Sequence, residues 1–370
     1  MLTRQQTAAM RGIAILGIVL HNFTHWLGPM VKENEYTFSL HNVRRFIFEL
    51  SNPTIDIFAH LLSFFGHYGV PVFLFLSAYG LTMKYEGPSL TLPREGTAKG
   101  AGNCSTPPPG EVGWGLFIWK HYKKLFMMMI VGYAAFIMVD FMVGKHYNYT
   151  FWNVIGGLGM FSNLYAVPDK AIWPGPYWYF GLMVQIYIFY RLVIYRGKGS
   201  LSHNLSDRQA SLLMWGIAAA CVIGQLYMDP EGAAINWYRY NFFGGVLPFV
   251  AGISYARSKV DNKYPRWAMA LFCLLMLALI VGGSLAFFTW ALVPLAVCGA
   301  TVSFVKILPE CLLKPMEWVG GISAMMFVTH PIARKVIIPI SHAGDIYTGL
   351  LLYTVLAIVL AMVFKKLQNK

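Results

Sequence analysis

In the stretch AAMRGIAILGIVLHNFTHW (8–26), Arg11 is followed by nine uncharged residues and then by His21, Asn22 and His25. His21 and His25 are four residues apart and share one helix face. At 1.5 Å of rise per residue, His21 lies about 15 Å beyond Arg11, near the bilayer midplane of a span over 12–30. An ionisable side chain at such depth is a functional candidate by default. An imidazole there can take a proton from a hydroxyl near neutral pH. Two other readings stand beside it: a neutral histidine bonded to a neighbouring helix, and a metal pair. Without a nearby carboxylate or Cys ligand, no metal is expected.

Four further clusters carry polar groups into apolar sequence. In GGISAMMFVTHPIARKV (320–336), His330 precedes Pro331, Arg334 and Lys335 inside a span, so both cations must face protein or water. In WKHYKKLF (119–126), Lys120, His121 and Lys124 read as positive-side anchoring or as a phosphate site. In FFGHYGVPVFLFLSAYG (64–80), His67 and Ser77 flank a small-residue run suited to close helix packing. In WPGPYWYFGLMVQIYIFYRLV (173–193), an interfacial aromatic belt explains Trp178 and its neighbours, whereas Gln185 needs a partner or a substrate.

The elements that position these residues follow from composition. The chain of 370 residues is 57% hydrophobic and only 12% charged, against about 25% charged in soluble domains. An all-α polytopic membrane protein is expected. Apolar runs of about 20 residues place ten spans near 12–30, 65–83, 125–143, 176–195, 210–228, 242–256, 268–286, 288–305, 318–340 and 348–364. The segment 151–167 is short and polar enough to be re-entrant or interfacial. No cleavable signal peptide is expected, because the first apolar run reads as the first span.

The net charge of +13 is a topology signal rather than a nucleic-acid footprint, because the basic residues cluster at span ends. Arg4, Arg11, Lys84, Lys120, Lys124, Arg191, Arg257, Lys306, Lys365 and Lys366 fall on one side, which is then cytoplasmic and carries both termini. The loop 85–118, rich in Gly, Pro, Ser and Thr, is expected to be flexible and cytoplasmic. The rest of 1–370 forms a single membrane domain without a convincing internal repeat. Five scattered cysteines give neither a disulfide framework nor a metal motif.

In their order along the chain, these segments resemble acyltransferase family 3, integral-membrane enzymes that move acyl groups onto extracytoplasmic sugars and other acceptors. Arg11 followed ten positions later by His21 resembles the family's Arg…His signature. GVPVFLFLSAYG is similar to its Gly-Val-x-x-Phe-Phe-x-x-Ser-Gly-Phe segment: Gly69, Val70, Phe73 and Ser77 match, and Ala78 and Tyr79 depart. Lys120, His121 and Lys124 occupy the arginine positions of a basic run. WYFGLMVQIY resembles W-x-L-x-x-E-x-Q-x-Y through Trp178, Gln185 and Tyr187, with Met183 and Val184 where some members carry acids. MMFVTHP aligns His330 with a conserved-type histidine segment.

The resemblance implies acyl-CoA as co-substrate, acetyl-CoA being the commonest expectation, with no permanently bound cofactor. It implies His21 as general base, directly or through an acyl-His intermediate, and Arg11, Lys120 and Lys124 on the donor phosphates. The acceptor would be a carbohydrate or glycolipid, met by His25, Ser77, Trp178, Gln185, Tyr187, His330 and Arg334, with a charged lipid-linked glycan as one form. A bacterial inner membrane is the expected location, and the lipid bilayer the expected surroundings; oligomeric state stays open. The residues alone leave a transporter of a polar or anionic small molecule as the alternative. A membrane-bound O-acyltransferase of the other large family lacks its Asn/His pair here.

Overall fold

The first helix begins before its apolar run. In a computed structural model that describes residues 1–86, 113–143, 147–258, 264–341 and 345–368, Thr3 caps α1 (Arg4–Thr24). Its hydroxyl accepts from Gln6 N at 3.1 Å, and Gln6 Oε1 accepts from Thr3 N at 3.0 Å. This capping box fixes the start; Gly28 and Pro29 prevent continuation. His21 is therefore in the last turn of α1, which corrects the expected position near mid-span.

The described residues are mainly helical, with no strand among them. Eight helices are long and apolar enough to cross a membrane. They are α1, α2 (Ile57–Tyr85), α3 (Trp114–Met142), α4 (Gly175–Ile194), α5 (Asp207–Leu226), α7 (Arg266–Gly283), α9 (Glu310–Ser341) and α10 (Ile346–Gln368). Two shorter apolar helices, α6 (Phe242–Arg257) and α8 (Val293–Ile307), complete the ten expected segments. Within 151–167 the helix Phe151–Leu158 has only 8 residues, about 12 Å at 1.5 Å per residue, too short to cross. Most of the loop expected at 85–118 lies outside the described residues; at its far end α3 already begins at Trp114.

Two glycines set how closely α1 is gripped. A Cβ on Gly320 of α9 would stand 1.8 Å from Ala8 O, and one on Gly66 of α2 would stand 2.6 Å from both Gly17 O and His21 Cβ. Only glycine allows backbones to approach like this. Gly66 lies in a 3-10 turn, Gly66–Tyr68, that carries α2 past α1. By contrast α7 buries only Cys273 among its residues and packs on α8 at the periphery.

The segment after α1 returns over the bundle. Ser39 N donates to Asn34 Oδ1, Asn42 Nδ2 donates to the same oxygen, and Trp290 Nε1 donates to Asn34 O at 2.7 Å. Arg239 Nε donates to Glu35 O at 3.0 Å, while its guanidinium lies 4.4 Å from the Trp290 ring centroid. These ties hold 33–36 above the end of α1.

Candidate active site

His21 is buried, and its Nδ1 is 2.9 Å from Ser63 O. A carbonyl can only accept, so Nδ1 carries the hydrogen and Nε2 of the neutral ring keeps its lone pair. One turn on, His25 Nδ1 lies 2.5 Å from Glu33 Oε2. A carboxylate likewise accepts, leaving Nε2 as the free nitrogen of that ring too. The two imidazoles are 5.3 Å apart between centroids, and His67 stands 5.6 Å from His21. Neither His67 nitrogen has a hydrogen-bond partner among the described residues.

Glu33 and Glu35 come from the returning segment and respond oppositely to it. Burial opposes ionisation of Glu33, but the hydrogen bond from His25 and the imidazoles of His21, His25 and His67 outweigh it and bring the carboxyl down to about 2. Burial dominates at Glu35, the Glu33 charge adds to it, and Tyr36 and Arg239 offset only part, so this carboxyl is pushed up to about 8. At neutral pH the pair therefore comprises one carboxylate and one neutral acid.

These groups line a cavity of about 370 Å³ together with Asn22, Trp26, Tyr36, Asp169, Trp173, Trp178, Tyr179, Tyr240 and Arg334. Tyr36 stacks on Tyr240 at 3.9 Å and meets Trp178 edge-on at 5.4 Å, giving the cavity an aromatic wall. Arg334 of α9 donates from Nη1 to Asn22 Oδ1 at 3.0 Å and lies 4.8 Å from the Trp26 ring centroid. A larger cavity of about 740 Å³ opens between α5, α6, α7 and α8, and among the described residues no histidine or carboxylate lines it.

Of the residues singled out from sequence, His21, Asn22, His25, His67, Trp178 and Arg334 share this cavity. Gln185 does not; its Nε2 donates to Asn241 Oδ1 at 2.7 Å and its Oε1 accepts from Phe242 N at 2.8 Å, which satisfies it within the bundle. Tyr187 faces His121 at 4.7 Å. Ser77 is not among the lining residues but lies near Tyr179, which is. His330 is buried with Nδ1 3.0 Å from Met326 O and its ring against Phe327. Arg11, Lys120 and Lys124 are exposed and outside the cavity; Lys120 and Lys124, with Lys84, lie within electrostatic reach of His121.

Glu33, Glu35, Tyr36 and Arg239 were not among the residues singled out from sequence. For the first three the signal was KENEY (32–36), in the loop that follows the histidine pair; Arg239 had none. The premise behind expecting no metal is corrected: Glu33 supplies the missing carboxylate, and His21, His25 and Glu33 offer ligand atoms all within 4.8 Å of one another. Two nitrogens and one oxygen are a donor set a zinc-like ion accepts.

The bundle of long apolar helices defines an integral membrane protein, with a buried imidazole cluster at the end of α1. Residues 8–365, nearly the whole chain, match the family described as Acyltransferase domain, and the chain belongs to that family. Neither the curated proteins nor the solved structures contain a match to it.

Proposed function

We propose that the protein transfers an acyl group, acetyl in the first instance, from cytoplasmic acyl-CoA to a hydroxyl of an extracytoplasmic or lipid-linked carbohydrate. Both termini are then cytoplasmic, in a bacterial inner membrane, and the aromatic cavity faces the opposite side. The observation that carries this reading, within an acyltransferase family, is the His21 ring: Nδ1 anchored on Ser63 O and Nε2 left as a base beside an aromatic cavity.

Nε2 takes the acceptor's hydroxyl proton while that oxygen attacks the thioester carbonyl. Collapse of the tetrahedral oxyanion forms the ester and breaks the C–S bond. The leaving thiolate recovers the proton from the imidazolium, so the base is regenerated each cycle. His25, steadied by Glu33, presents the second imidazole to the same cavity, and Trp178 with Tyr36 and Tyr240 packs against the acceptor. Arg11, Lys120 and Lys124 meet the donor phosphates from the other end, about 15 Å of helix separating Arg11 from His21.

Calorimetric titration of the purified protein with acetyl-CoA tests the assignment of ends. Binding that persists in His21→Ala and is lost in Arg11→Ala/Lys124→Ala is the expected result. Absence of binding for every short-chain acyl-CoA would favour transport of a polar or anionic small molecule instead.

A further inference from the structure

Arg334 and Lys335 are successive cations in α9, and among the described residues Lys335 has an acidic partner and Arg334 has none. Lys335 Nζ lies 2.6 Å from Asp140 Oδ1, and Asp140 Oδ2 accepts from Tyr147 N and Tyr149 OH. Arg334, 6% exposed, is surrounded by neutral groups: Asn22 Oδ1, the face of Trp26 and Tyr147. Among the described residues no carboxylate pairs with it.

The acidic groups of the cavity are otherwise committed. Glu33 is bonded to His25 at 2.5 Å. Glu35 stands beside Tyr36 and Arg239, and no ion pair joins it to Arg334 among the described residues. Asp169 is exposed. A buried guanidinium without a counter-charge is expensive to hold, and its planar fork of N–H donors is shaped for a phosphate or carboxylate. Asn22 takes one of its N–H donors and Tyr147 stands beside the guanidinium, and Arg334 itself lines the cavity.

From this we infer that the acyl acceptor carries an anionic group, a sugar phosphate or a uronic-acid carboxylate, which seats on Arg334. The inference rests on the acyltransferase reading above for calling the ligand an acceptor. Asn22 ties the guanidinium to the residue next to His21, so an anion seated there holds the neighbouring part of the sugar at the base. Arg334 is thus a binding residue for the acceptor's charge, and His21 acts on its hydroxyl.

The test uses the wild-type chain in detergent, labelled with phenylglyoxal, with modification of Arg334 followed by mass spectrometry. Galacturonate, galactose 6-phosphate and neutral galactose are the probes at equal concentration. The expected result is at least threefold slower labelling with one or both anionic sugars and no slowing with galactose; whichever anion protects identifies the group. Equal labelling in all samples, equal protection by galactose, or an Arg334 unreactive throughout would overturn the proposal. Acetyl-CoA binding is measured on the same preparation. Protection without acetyl-CoA binding retains the anion site and removes the acyltransferase reading; binding without protection does the reverse.

Discussion

His25 Nδ1 and Glu33 Oε2 stand 2.5 Å apart across the turn that closes α1, so the helix carrying the proposed base and the loop roofing it are joined by one charge-assisted bond. Glu33→Gln keeps an acceptor but removes the charge. Acyl transfer is expected to fall about 10- to 1,000-fold, less than on loss of the His21 imidazole. Transfer rates on the variant, normalised to folded protein, check this; an unchanged rate would separate the pair from the chemistry.

The same carboxylate makes a signed contribution to stability. Its pKa falls from the ordinary 4.5 to about 2 on folding, so the stabilisation is fully present above about pH 4.5 and is lost as pH drops towards 2. The difference in melting temperature between wild type and Glu33→Gln is predicted to shrink over that interval. A constant difference would contradict it.

Glu35 has the opposite sign. Its carboxyl is raised from 4.5 to about 8, so between those values the folded chain holds a proton that the unfolded chain has released. Stability then declines as pH rises from 4.5 and levels off above about 8. Glu35→Gln removes this term, and its melting temperature is expected to gain on wild type between pH 5 and 8. Parallel melting profiles would show Glu35 already ionised in the folded protein.

Gly66→Ala would place a methyl 2.6 Å from both Gly17 O and His21 Cβ. The backbone must yield, at about 1–3 kcal/mol of stability, and the imidazole shifts with it. Denaturant-induced loss of helix and transfer activity should both suffer. Normal activity in a protein of undiminished stability would mean that α1 and α2 are less tightly apposed.

The grouping of His21, His25 and Glu33 within 4.8 Å makes the site a target for metal. With Nε2 of His21 acting as a base, transfer is predicted to survive a chelator and to be inhibited by added zinc, which takes the same lone pair. Glu33→Gln should weaken that inhibition. Activity abolished by chelation and restored by zinc would replace the base by a metal-assisted reaction.

Segment lengths revealed the ten helices in advance because a bilayer demands long apolar runs whatever their neighbours are. Arg334 was legible for the related reason that a cation inside such a run must face something polar. The start of α1 was written in Thr3 and Gln6, a polar capping box that precedes the apolar stretch and so lies outside what hydropathy marks. Glu33 and Glu35 stayed hidden because no periodicity reports where a loop returns; only the ties through Asn34, Trp290 and Arg239 bring them over His21. Gln185 misled in the other direction: a lone amide in an apolar span has the same sequence appearance whether it meets a ligand or, as here, Asn241.

Release of free CoA from acetyl-CoA by the purified protein, with water in place of the natural acceptor, is the most direct measurement of the central claim. The wild type is predicted to show slow hydrolysis that falls about 100- to 10,000-fold in His21→Ala, while acetyl-CoA binding stays intact. Hydrolysis at the wild-type rate in a folded His21→Ala variant would contradict the assignment of His21 as the base.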